Sequence, residues 1–180
     1  SYQIEVLAKS KEHEVPITLR FQELRDEQMQ PAHGELPFFL QENTVIQFLQ
    51  YPYEQVVAEN FVEILEKMEL INDLSCYEEI YGILKKEALD GRKVEQQIIE
   101  IGTKRELFFG KDRLDTVLHY KDYTYMKRKW TAYLKRERKK EPDWVEVMTL
   151  LEAFFPPVWR AIIRDEIFIG DWMPELCRFL

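Results

Sequence analysis

Cys76 and Glu79 come nearest to a reactive pair in this chain. They lie three apart, so they share one face near a helix start. The helix dipole can acidify a thiol in that position. No histidine stands near them in sequence to act as base. A simpler account makes Cys76 a small apolar residue and Glu79 a first-turn anion. Asn60 sits on an apolar helical stripe, where it is either a phosphate contact or an amide satisfied by neighbouring backbone. Glu59 and Glu63 share another helix face, and with Glu79 they form a scattered carboxylate set that an unrelated enzyme class would need to gather. His13, His33 and His119 lack the spacing of metal ligands. No Gly-rich phosphate loop and no nucleophile beside a base is present.

The second constellation is cationic. Lys127, Arg128, Lys129, Lys135, Arg136, Arg138, Lys139 and Lys140 cluster in one stretch, interleaved with Tyr125, Trp130 and Tyr133. Such cations attract phosphates, and aromatic faces stack on bases. The competing account is a solvated helix face with Trp130 and Tyr133 turned into a bundle, diluted by Glu137 and Glu141.

Two kinds of element must hold these residues. Tyr2 to Leu7 alternates apolar and polar, and so does Val15 to Phe21. Val15, Ile17, Leu19 and Phe21 fall on one face, with Thr18 and Arg20 on the other. The two segments predict an antiparallel hairpin of half-buried strands around a polar turn at 9–14, with Pro16 near a strand start or on an edge. Arg25 to Pro37 reads as a loop, and Thr44 to Leu49 as a third strand. From Tyr53 the period becomes helical. Val56, Val57, Asn60, Phe61, Ile64, Leu65 and Met68 trace the first stripe. Ser75 and Glu78 have capping-box spacing, and that helix is expected to end near Asp90-Gly91. Helices follow over 94–107, around Leu114 to Leu118, and over 123–139. Asp143 then caps a helix that Pro156-Pro157 should end or sharply bend. The tail should add one short helix and an apolar end, with Trp172 and Phe179, that docks or meets a partner. The expected class is α+β: a small antiparallel sheet at the N-terminus, residues 1–51, followed by a mainly helical bundle, residues 52–180.

Composition sets outer limits. The 180 residues are 46% hydrophobic and 13% aromatic, enough for a sizeable core. A net charge of −8 argues against nucleic-acid binding over the whole surface. Two cysteines are too few for a disulfide scaffold, and they fit a reducing interior. No bilayer-spanning run or signal pattern is seen, so a cytoplasmic protein with no membrane partner is expected. The chain opens on Ser1 without Met, which reads as a processed or otherwise defined start.

From Thr44 to Trp159 the chain resembles the abortive-infection AbiE-type (AbiEii) toxins, a branch of the nucleotidyltransferases. The likeness rests on Gln55 to Phe61, Cys76 to Leu84, Lys129 to Lys135, and Trp144 to Pro157. The resemblance implies a nucleotidyltransferase-like fold, tRNA or another RNA as substrate, and an antitoxin as partner. It places Asn60 where the family has a phosphate-holding lysine, Cys76 on an assisting aspartate, and Glu79 on a second aspartate. It would make Lys127, Arg128, Lys129, Lys135, Arg136 and Arg138 the RNA-facing cations. The family's metal-binding carboxylate pair and Gly-Ser turn have no counterpart here. Nucleotidyl transfer needs clustered carboxylates to seat Mg²⁺. The resemblance therefore implies a protein without independent catalysis, binding Mg²⁺ and nucleotide only with an upstream catalytic half. The alternative expectation is a helical protein-interaction or homodimerisation module, resting on the C-terminal bundle and its apolar tail, with no nucleotide chemistry.

Overall fold

The computed structural model describes residues 2–10, 13–21, 32–37 and 45–180. The chain forms two compact units, residues 1–49 and 50–180. In the first, β1 (Tyr2–Ser10) and β2 (His13–Phe21) pair antiparallel, with Ile4 opposite Leu19, Val6 opposite Ile17 and Ala8 opposite Val15. Both strands run further than the alternation alone suggests. Ser10 pairs with His13, so the expected polar turn at 9–14 is mostly ladder. Lys9 and Glu14 face each other across it at 2.8 Å, the cross-strand charge pair that favours this register. Pro16 is tolerated because each strand of a two-stranded sheet is an edge.

The loop expected over Arg25 to Pro37 needs correction. Ala32–Pro37 forms β3 and pairs with β4 (Val45–Gln50), so pairing overrides the poor strand propensity of Gly34 and Pro37. Residues 25–31 and Thr44 lie outside the described residues.

The second unit begins with α1 (Tyr53–Lys67). The Pro52 carbonyl accepts from the amides of Gln55 and Val56, and Glu54 and Lys67 match the dipole at the two ends. Its apolar stripe buries Val57, Ala58, Phe61, Val62, Ile64 and Leu65. Phe61 stacks on Phe155 with centroids 3.7 Å apart. The helix stops at Met68, whose φ of 51° breaks the ladder.

α2 (Ser75–Leu84) lacks the expected capping box. Its N-cap is Leu74 and no side chain caps it; the Ser75 amide donates to Asp73 instead. Glu78 is drawn away by Tyr133 and Lys139, each 2.5 Å distant. Asp90 does not end this helix either. It is the N-cap of α3 (Gly91–Lys104), accepting from the amides of Arg92 and Lys93. Helix α4 is Lys111–His119 and α5 is Thr124–Arg136.

Asp143 caps α6 (Trp144–Arg164) through the Glu146 amide at 2.8 Å, as its spacing predicts. The expected stop at Pro156-Pro157 does not occur, for α6 continues past both prolines to Arg164. The two missing N–H groups would have paired with the carbonyls of Glu152 and Ala153, on the solvent side, where water can serve them. Meanwhile Phe154, Phe155, Val158 and Trp159 keep the buried face continuous.

The tail forms strands rather than a short helix. β6 (Asp171–Met173) pairs with both β5 (Leu89–Asp90) and β7 (Arg178–Phe179). Trp172 is fully buried there. Gly91 makes this closure feasible. Its amide donates to the Gly170 carbonyl at 3.0 Å, and a Cβ would collide with that oxygen and with Phe168. Gly91→Ala should therefore cost about 1–3 kcal/mol. Gly82→Ala, with open space around its Cβ, should gain up to about 1 kcal/mol from helix propensity. Denaturant unfolding of both variants reads the contrast. The whole is α+β, a small antiparallel sheet followed by a mainly helical bundle. No described helix is long and apolar enough to cross a membrane.

Candidate functional site

Asn60 on α1 and Glu79 on α2 meet: the Asn60 amide donates to the Glu79 carboxylate at 2.8 Å. Each thus occupies the other. Cys76 turns inward to 4% exposure, with Sγ 3.5 Å from the Asp73 carbonyl. Burial pushes its thiol well above the ordinary range, and the Glu63 carboxylate adds to the shift. The helix start does not acidify it, because desolvation outweighs the dipole. Cys76 should resist alkylation in the native protein at pH 8, while both cysteines react in denaturant. A thiol count before and after unfolding checks this.

The scattered carboxylates do not gather. Glu59 and Glu66 both engage Arg105, Glu63 pairs with Lys67 at 2.6 Å, and Glu79 serves Asn60. Among the described residues no cluster of three or more His, Cys, Asp or Glu could hold a metal ion. Burial raises the phenols of Tyr120 and Tyr133, helped by hydrogen bonds to Glu69 and Glu78 respectively. Those bonds tie α4 and α5 to the start of the bundle and leave no free acid–base pair in them.

Along α5 and the segment after it the cations divide into two groups. Lys129 donates to the carbonyls of Glu69 and Ile71, closing the turn after α1. Lys127 lies 3.7 Å from Asp122, Arg136 binds Glu137 at 3.0 Å, and Lys139 binds Glu78. Arg128, Lys135, Arg138 and Lys140 are exposed, and their side chains make no hydrogen bond or ion pair among the described residues. Trp130 and Tyr133 are buried, so neither ring is open to a base. Tyr125 remains half exposed, beneath the Lys129 ammonium.

Two features of the surface were not singled out by sequence reasoning. One is the apolar face of the β1–β2 ribbon. Ile4, Val6, Val15, Ile17 and Leu19 share it and are 41–54% exposed. The alternation announces two faces, but the strands are less covered than half-buried strands should be. The other is a cavity of about 320 Å³ between α4 and α6. Lys111, Leu114, Asp115 and Leu118 line it from one side, at i, i+3, i+4 and i+7. Arg160, Ile163 and Arg164 face them over the buried Trp159. The spacing is readable on each helix, but nothing local joins segments some forty residues apart.

No family model, no curated protein and no solved structure matches this chain. That finding corrects the identity drawn from the resemblance. The terms nucleotidyltransferase-like, AbiE-type toxin, toxin–antitoxin and abortive infection have no match behind them and are withdrawn.

Proposed function

We propose that this chain is a protein-interaction module that self-associates through the β1–β2 ribbon. The exposed apolar face of that ribbon carries the reading. A two-stranded sheet is marginal in water unless its apolar face is covered. Five large aliphatic side chains on one face, each about half exposed, leave a sizeable area to bury. A second copy is the occupant that fits. An identical ribbon packs face to face at about 10 Å, the spacing of stacked sheets. The charged residues Glu5, Lys9 and Glu14 alternate with the apolar ones and fall on the other face, so two copies meet at the apolar face without burying a charge despite the net charge of −8. A twofold arrangement uses the same patch on both partners. Burying what remains exposed is worth on the order of 1 kcal/mol per side chain. Ten such side chains across a twofold interface, five from each copy, give about 10 kcal/mol, and a docking cost of at least about 4 kcal/mol leaves a dissociation constant of roughly tens of micromolar or weaker.

Single cysteines placed on the ribbon test the reading. Val6→Cys and Ile17→Cys, on the apolar face, should yield covalent dimers under mild oxidation. Thr18→Cys, on the opposite face, should not. Equal crosslinking at all three positions, or none at any, overturns it. An RNA-binding reading of α5 and the turn after it has less support, since Trp130 and Tyr133 are buried and Lys127, Lys129, Arg136 and Lys139 are internally bound.

A further inference from the structure

We infer that the cavity between α4 and α6 binds a small anionic amphiphile: one carboxylate or phosphate head on a short apolar body. The two helices run in opposite directions. Trp159 Nε1 donates to the carbonyl of Gly110, just before α4, and Lys121, just after α4, reaches Glu152 at 2.7 Å. The start of α4 is thereby set beside the last turns of α6, bringing Lys111 together with Arg160 and Arg164. These three cations face one carboxylate, Asp115, at the mouth of the cavity, on a chain that is acidic overall.

The cations are available. Lys111 and Arg160 make no ion pair or hydrogen bond among the described residues. Arg164 has only Glu166, at 4.0 Å. The rest of the lining is apolar, from Leu114, Leu118, Pro156, Trp159 and Ile163. An apolar cavity with a few convergent charged groups at its rim is the usual form of a small-molecule site. Its volume of about 320 Å³ holds at least roughly ten non-hydrogen atoms, taking about 30 Å³ per water-sized group as an upper measure. A neutral apolar ligand would leave the cations unused, and an inorganic anion would leave the floor empty. An amphiphile with an eight-carbon body and an anionic head uses both.

Octanoate, octyl phosphate and octanol are the probes, titrated into the full chain by calorimetry and by NMR of the tryptophan indole N–H signals. Octanoate or octyl phosphate should bind with a dissociation constant of about 1 mM or tighter, as a ligand of this size can reach, and octanol at least about tenfold more weakly. The Trp159 indole signal should move and that of Trp172, in the tail sheet, should not. Arg160→Glu combined with Arg164→Glu should weaken both anions at least about tenfold. Ile163→Trp, which fills the cavity and keeps the charges, should abolish binding. Equal binding of octanol, unaltered affinity in either variant, an unmoved Trp159 signal, or failure of both anions to saturate would each overturn the inference.

Discussion

Ile17→Asp should turn a self-associating protein into a monomer, raising the dimer dissociation constant at least about 100-fold. The size follows from symmetry. In a twofold interface each substitution appears twice, so two carboxylates lose water without a partner. The fold itself should tolerate the change. Ile17 is 43% exposed in the single chain, and replacements at open surface positions usually stay within about 0.5 kcal/mol. Its cross-strand neighbour is Val6, so Val6→Asp should act alike. Thr18→Asp, one residue along and on the other face, should leave the dimer intact. Sedimentation equilibrium of the three variants reads the difference. Dissociation by Thr18→Asp as well would show that the ribbon is merely being unfolded.

Trp172→Ala should cost about 3–5 kcal/mol, the largest single-residue loss of stability expected in the helical unit. Trp172 is fully buried, with ring centroids 5.1 Å from Phe154 and 5.3 Å from Phe179. Its Nε1–H donates to the Leu84 carbonyl at 2.8 Å. Truncation opens a cavity, leaves that carbonyl unpaired and removes the pin between β6 and the end of α2. Otherwise the tail is tied to the bundle by hydrogen bonds at its backbone, the Phe168 amide donating to the Glu95 carboxylate and the Gly91 amide to the Gly170 carbonyl, at 3.0 Å each. Urea unfolding followed by far-ultraviolet circular dichroism measures the loss. A change below about 1 kcal/mol would mean that the tail does not help to hold the bundle together.

The helices were readable because their apolar residues recur at helical period, and the hairpin because its residues alternate. What failed to show depends on distant partners. Ser75 and Glu78 have capping-box spacing, yet Glu78 is claimed by Tyr133 on α5 and by Lys139 just beyond it. The prolines at 156 and 157 signal a break, yet the buried face of α6 continues past them and the orphaned carbonyls face solvent. β5, β6 and β7 are two or three residues long, too short for any pattern to mark them, and β5 exists by pairing with β6 from Leu89 to Trp172, far apart in sequence. β3 carries Gly34 and Pro37, the usual marks of a loop. Of the candidate sites, Asn60 and Glu79 do come together, while Cys76 is withdrawn into the core. Alternation reveals that a strand has an apolar side, but not what lies against it. That is why the exposed face of β1 and β2 emerges only with the structure.

Sedimentation equilibrium of the unmodified chain from about 1 to 100 µM, a range that brackets association at tens of micromolar, tests the central claim most directly. The account predicts a weight-average mass that climbs with concentration from 21.8 kDa toward twice that value. A mass that stays at 21.8 kDa throughout would contradict it.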